Sequence, residues 1–278
     1  MVERITITIG KPLLERIDKM VDKKNIKNRS HAIETLLHRS LSKTDITTAI
    51  IMAGGKGTKL RPITYEIPKA LIPIHGRPVL EHQINLLKKF DIRNIVVSLS
   101  EQHEKVREYF GNGSKFGVNI EYIVEKKPLG PLGALSLARD YIKNTFIVMN
   151  GDTLMNLNIA EIYDFHKKEG KLATIVLRTG EKTETFGVVR LSGNDVLEFV
   201  EKPSSKAAPS RHINIGFYIM EPDVLKHLHK AKVMTDDLFS RLAKLKQVSG
   251  YVHDYETYDV STPEGFERAI KSWKIPVA

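Results

Sequence analysis

Cysteine is absent from all 278 residues. Disulfides, zinc–thiolate sites and cysteine nucleophiles are therefore excluded, and the composition fits a reducing cytoplasm. Any apolar run long enough to span a bilayer is also lacking, so no membrane contact is expected. The N-terminal MVERITITIGKPLLERI has no uninterrupted apolar core, and no signal peptide is expected. Internal repeats and low-complexity tracts are missing too. With 41% hydrophobic and 27% charged residues the chain is an ordinary globular one.

Acidic residues are in the minority, and the deficit is uneven. The net charge is +10, split equally between residues 1–44 and residues 45–278. The excess per residue is several-fold greater in the short segment. A small basic segment points to nucleic acid, whereas a mildly basic larger one suits anionic substrates. The boundary is expected near Ser42–Asp45, giving domains 1–44 and 45–278.

In the short segment, Arg4, Thr6 and Thr8 alternate with Ile5, Ile7 and Ile9, a half-buried strand by period. Gly10 breaks it, Pro12 suits the first turn of a helix, and Leu13, Leu14, Ile17, Met20 and Val21 follow at helical spacing. Ser30 is a good N-cap for a second helix carrying Ile33, Leu36, Leu37 and Leu41. One strand and two short helices bury too little surface alone, so a homodimer with paired strands is the economical arrangement.

From Thr47 onward, predicted strands and helices alternate. The pattern predicts a three-layer α/β/α, Rossmann-like domain with a mostly parallel sheet. Ligands in such sheets bind beyond the C-terminal strand ends. The most informative run, IIMAGGKGTKLRPITYEIPKALIPI from Ile50 to Ile74, lies at the first of these ends. Ala53, Gly54, Gly55, Gly57 and Thr58 form a loop whose backbone N–H groups can approach an anion. Lys56, Lys59, Arg61 and Lys69 supply positive charge. That is chemistry for a triphosphate. No Gly-Lys-Ser/Thr closes the loop, so it is not a Walker A motif, and the Gly-x-Gly-x-x-Gly pattern is lacking.

Asp152, in Asn150-Gly151-Asp152, follows a later strand, and Asp259, in Tyr258-Asp259-Val260-Ser261-Thr262-Pro263, ends another. Magnesium bound to a triphosphate needs only one or two protein carboxylates, and these two are the expected metal ligands. Each is also a common turn former at a strand end. Glu125 closes a strand before Lys126-Lys127-Pro128-Leu129-Gly130. One carboxylate accepts both N1–H and the 2-amino group of guanine, a reason to favour GTP.

The glycine-rich run resembles the signature of the sugar-phosphate nucleotidyltransferases (nucleotide-sugar pyrophosphorylases), and the resemblance extends from about Thr47 to Trp273. It implies transfer of a nucleoside monophosphate from a triphosphate to a sugar 1-phosphate, with Mg²⁺ on Asp152 and Asp259. It also implies catalytic roles for Lys59, Lys69 and Lys202. The nucleobase would lie against Glu125 and Gly130, and the sugar phosphate against Gly187, Glu201, Lys202 and Asn214. Two departures stand out. Lys59 occupies the family's usual arginine position, and Pro131-Leu132 replaces the Thr-Ala common in guanylyltransferases. The chain stops soon after the helix expected beyond Asp259, so no C-terminal left-handed β-helix is expected.

Residues 1–44 resemble a ribbon-helix-helix DNA-binding domain. The resemblance implies a dimer on double-stranded DNA, with Arg4, Thr6 and Thr8 in the major groove and Arg29 and Ser30 near a phosphate. Two other readings use the same residues. In one, the chain is a transcriptional regulator whose larger domain only senses nucleotide or sugar ligands; in the other, the small domain serves only to dimerise an enzyme.

Overall fold

The computed structural model describes residues 6–21, 28–30, 32–33, 36–37, 44–99, 103–125, 133–181, 183–228, 235–254 and 257–275. The chain divides into two compact units, residues 1–43 and 44–278.

In the smaller unit, helix α1 (Lys11–Asp18) starts with a proline in its first turn, where a missing N–H costs nothing. Residues 29–30, 32–33 and 36–37 are helical and are together labelled α2. Ile17 and Ala32 are buried, whereas Ile7, Leu13 and Leu37 are about half exposed. Residues 6–9 make no ladder with described residues of the same chain. A strand there needs a partner, which in the expected ribbon is a second copy.

The larger unit is built on a nine-stranded sheet. Its first half comprises β1 (Thr48–Met52), β4 (Asn94–Leu99), β5 (Asn119–Val124) and β6 (Phe146–Asn150). The second half comprises β8 (Ala173–Thr179), β9 (Gly187–Ser192), β10 (Asp195–Glu201), β11 (His212–Met220) and β12 (Val248–Val252). The order is β5-β4-β1-β6-β11-β8-β12-β10-β9. Strands β5, β4, β1 and β6 are parallel. β11 enters antiparallel between β6 and β8, and β9 and β10 form an antiparallel pair. The parallel character expected from the alternation therefore describes the first half, plus the β8–β12 pair. Two small ribbons stand apart from the sheet: β2 (Pro73–Ile74) with β3 (Arg77–Pro78), and β7 (Thr153–Met155) with β13 (Thr257–Asp259).

Both faces of the sheet are covered, so β1 and β6 are almost wholly apolar. Ala49 and Ile51 of β1 point into one core, packed by Leu80, Ile84 and Leu87 of α4 (Val79–Lys88), Val106 and Phe110 of α5 (His103–Phe110) and Ile159 and Ile162 of α7 (Ile159–Glu169). Ile50 points into the other, with Ala134 and Leu135 of α6 (Ala134–Leu137) and Leu238, Phe239 and Leu242 of α8 (Thr235–Lys244). This period-2 division makes the three layers. Helix α6 is a single turn, followed by a 3₁₀ turn, Arg139–Tyr141. A third, smaller cluster joins Leu154, Tyr258 and Val260 to Ala269 and Trp273, seating α9 (Pro263–Ser272) on the β7–β13 ribbon.

Candidate active site

The strand ends of the first half open onto a cleft of about 1300 Å³. At its floor the loop after β1 is tied to its neighbours. Ala53 N donates to Ser98 O at 2.8 Å, and Gly151 N donates to Met52 O at 2.9 Å. The loop then turns through Gly57, whose φ of 64° lies in the left-handed region where side chains are strained. A Cβ there would also come 2.7 Å from Thr64 Cγ2 and 2.9 Å from Lys69 Cγ. Thr64 Oγ1 locks the turn by donating to Gly57 O at 2.6 Å. Gly54, Gly55, Lys56, Lys59 and Lys69 line the cleft. Ala53, Gly57 and Thr58 are not on its wall and instead shape the loop.

Lys69 reaches across this loop to Asp152, with Nζ 2.5 Å from Oδ2. The two side chains are only 14% and 19% exposed, so the pair is well shielded from water and screened little by salt. Asp259 is brought alongside by the β7–β13 ribbon. It pairs in register with Thr153, and Val260 N donates to the Asp152 carbonyl at 2.9 Å. Burial first, and the neighbouring Asp152 charge second, push the Asp259 carboxyl above the usual carboxylate range, against the hydrogen bond from Ser261 N at 2.8 Å. Helix α9 begins directly beyond, capped by Thr262, which accepts from Gly265 N. Gly265 packs so closely that a Cβ would lie 1.8 Å from the Asp259 carbonyl oxygen.

Two neighbouring acids, of which Asp152 is paired with the Lys69 ammonium, form a hard-oxygen donor set with excess negative charge. That set fits Mg²⁺, which completes its shell with phosphate oxygens and water. Among the described residues no three His, Cys, Asp or Glu side chains converge into a protein-only cage, and a nucleotide-bound Mg²⁺ needs none.

The opposite end of the cleft is lined by Gly187, Glu201, Lys202 and Asn214. Glu201 pairs in register with Gly187 across β10 and β9. Lys202 leaves the strand with φ 48°, uncommon for a residue with a side chain, and its Nζ lies 3.2 Å from Glu201 Oε1. Asn214 sits where the β11–β8 register shifts. Its amide is held at both atoms: Nδ2 donates to the Tyr218 hydroxyl at 2.7 Å, and Oδ1 accepts from Gly216 N at 2.9 Å. Glu125, beyond β5, lines the third wall and accepts a hydrogen bond from Ser98 Oγ at 2.7 Å. Gly130 lies outside the described residues.

The structure adds residues that sequence reasoning missed. Gln83 of α4 donates to the carbonyls of Asn150 at 2.6 Å and Thr153 at 2.9 Å, bracketing Asp152. A glutamine inside a helix carries no sequence signal for that role. Gly265 reads as an ordinary residue of the first helical turn. Arg178 and Arg268 also line the cleft, and neither belongs to a recognisable run.

In the smaller unit Thr6, Thr8, Arg29 and Ser30 are exposed, and Arg4 lies outside the described residues. Arg29 forms a fork on Asp18, with both contacts at 2.7 Å. This tie links α1 to the start of α2 and holds the Asp18 carboxyl below its usual range through the Arg29 hydrogen bond.

Comparison with known proteins agrees with this architecture. Residues 3–43 match the model of the ribbon-helix-helix proteins of the copG family. A UTP–glucose-1-phosphate uridylyltransferase from Synechocystis sp. is 34% identical over 241 residues, covering 80% of this chain and 62% of that protein. A mannose-1-phosphate guanyltransferase from Saccharomyces cerevisiae is 35% identical over 227 residues, covering 78% of this chain and 62% of that protein. The chain thus spans less than two thirds of the length of these relatives. The fold is shared with a UDP-glucose pyrophosphorylase solved with UDP-glucose, at a TM-score of 0.72 and 22% identity, over 81% of this chain and 97% of that one. Residues 48–273 match the nucleotidyl transferase model, and over them the chain belongs to the nucleotidyl transferase family.

Proposed function

We propose that residues 44–278 transfer a nucleoside monophosphate from a nucleoside triphosphate to a sugar 1-phosphate. An oxygen of the sugar phosphate attacks the α-phosphorus in line. A new P–O bond forms as the bond to the bridging oxygen breaks, and pyrophosphate departs with that electron pair. No covalent enzyme intermediate is required, so catalysis is positioning plus neutralisation of charge. The observation that carries this reading is the convergence of Asp152, Asp259 and Lys69 beside the glycine loop in one open cleft.

The roles follow from chemistry and position. Backbone amides at Gly54 and Gly55, with Lys59, hold the departing pyrophosphate, while Gly57 and Thr58 keep the loop bent. Lys69 steadies the nucleotide phosphates and Lys202 the sugar phosphate. Asp152 and Asp259 would hold Mg²⁺, which supplies Lewis-acid neutralisation of phosphoryl oxygens when bound. Gly187 leaves room for the sugar, while Glu201 and Asn214 offer hydrogen bonds to its hydroxyls.

Glu125 favours GTP, because its carboxylate is oriented by Ser98 and matches the paired donors of guanine. The guanylyl-transferring relative supports this choice, and the uridylyl-transferring one supports its rival. A matrix of triphosphates against sugar 1-phosphates, read by pyrophosphate release with Mg²⁺, tests both points. At least one pair should turn over, fastest with GTP. Silence across the matrix would remove the enzymatic reading.

The smaller unit is read as a dimeric DNA-binding module that couples the enzyme to transcription. The family match over residues 3–43 favours it. The half-exposed Ile7, Leu13 and Leu37 supply apolar surface for a second copy. Arg4, Thr6 and Thr8 would read bases, while Arg29 and Ser30 approach a phosphate. A DNA-binding selection on the full chain should return a sequence preference that Arg4→Ala abolishes. Absence of any preference would leave the unit a dimeriser. The reading in which the larger unit only senses ligands rests on Lys59. It is discarded by turnover in the unaltered chain and favoured if only Lys59→Arg is active.

A further inference from the structure

Among the described residues, two cations that line the cleft, Arg178 and Arg268, have no acidic ion-pair partner. Arg178 is near the end of β8, in register with Ile213 and so beside Asn214. Its guanidinium stands 5.7 Å from the centre of the Phe186 ring, the residue before Gly187. Arg268, on α9, stands 5.7 Å from the centre of the Tyr258 ring, the residue before Asp259. The two therefore come from separate elements on either side of the space between the sugar residues and the acid pair.

Two other cleft cations already have acids. Lys69 is on Asp152 and Lys202 is on Glu201. Among the described residues, Arg178 and Arg268 form no ion pair. Glu181 and Glu264 also line the cleft. The Arg178 fork donates one long hydrogen bond, Nη1 to Thr179 O at 3.3 Å. Burial and, after it, the nearby Arg268 charge hold the Arg178 pKa below its ordinary value. Two guanidinium groups that repel one another in a partly shielded cleft are relieved by an oxyanion between them. A guanidinium fork suits the parallel oxygens of a phosphate or carboxylate.

We propose that Arg178 and Arg268 form a second oxyanion site at the sugar end of the cleft. It selects an acceptor that carries a phosphomonoester or carboxylate in addition to its 1-phosphate. The proposal deepens the transferase reading and shares its cleft, but its binding test does not need turnover.

The test uses the full chain and three acceptors: a hexose 1-phosphate, a hexose 1,6-bisphosphate and a hexuronic acid 1-phosphate. Calorimetry measures affinity, and pyrophosphate release measures kcat/KM. At least one doubly anionic acceptor should be favoured over the hexose 1-phosphate by about tenfold or more. The bisphosphate and uronate arms tell which oxyanion is chosen. Arg268→Gln, at an exposed position, and Arg178→Gln should each cut that preference about tenfold, with Arg178→Lys falling between. Circular dichroism checks that the Arg178 variants fold, and Arg268→Gln carries the test if they do not.

A preference near one in the unaltered protein overturns the proposal. So does an equal loss for all three acceptors, which would assign the arginines to the 1-phosphate itself. Selective binding with no pyrophosphate released from the triphosphate in the presence of any acceptor removes the transferase reading and leaves the oxyanion site standing. Turnover without selectivity does the reverse.

Discussion

The two ends of the cleft, one proposed to hold the phosphates and the other the sugar, are made in different ways. The phosphate end is mainly main chain and close packing: a left-handed glycine, amide-to-carbonyl ties between neighbouring strand ends, and a helix seated on the Asp259 carbonyl. The sugar end is mainly side chains, drawn from β8, β9, β10, β11 and α9. Close packing against main chain tolerates few changes, because an added Cβ overlaps fixed atoms. Side-chain contacts can be exchanged one at a time. The phosphate end is therefore the fixed half of the site and the sugar end the adjustable half.

Asp152→Asn gives the largest break. It removes one of two acids and the Lys69 partner, and pyrophosphate release should fall about a thousandfold. A loss below tenfold would place the acid outside the chemistry. Gly265→Ala comes next, because its Cβ would overlap the Asp259 carbonyl. We expect about a hundredfold loss of kcat together with about 1–3 kcal/mol of stability, read by urea titration. Wild-type behaviour would refute rigid packing at this end. Asn214→Ala sharpens the contrast from the other side: KM for the sugar 1-phosphate should rise about tenfold, with kcat within a few-fold. A collapse of kcat instead would make the sugar end as inflexible as its counterpart.

Acid should weaken both ends together, since buried histidines back each of them. His82 adjoins Gln83, and burial lowers its pKa against the hydrogen bond to Ile74 O. Burial, then Arg178, lowers His253, and burial lowers His166 against the pull of Glu221. With folded values below the unfolded one, the neutral rings contribute fully above about pH 6.5. The contribution is lost as pH falls from there towards the folded values, at about 1.4 kcal/mol per histidine per unit. The urea midpoint should thus drop between pH 7.5 and 5.5; a flat or rising midpoint contradicts the burial argument. Lys59→Arg should do least. Lys59 is exposed, and we expect kcat to change less than about fivefold.

The same division explains what could be read before folding. The phosphate loop lies within one short run, Ala53 to Lys69, and its residue types state their chemistry. The alternating elements likewise disclosed the layered domain. Asp152 and Asp259 were legible singly, at strand ends beside turn formers, but the ribbon that joins them was not. Its strands have three residues each, too few for a period. The antiparallel entry of β11 leaves no mark on its own sequence, because direction is set by connections. Gln83 works through its amide on two carbonyls, and Arg178 with Arg268 matters only through distance across the cleft.

The short β7–β13 ribbon fastens the two acids to each other through Val260 N and the Asp152 carbonyl. Strands β8 to β12 fall between its two halves in the chain, and they supply most of the sugar wall. Descendants of this gene can thus lengthen, swap or recolour that intervening stretch while the two acids stay fastened together. New substrates become a matter of retailoring one insert, with the reactive machinery inherited intact.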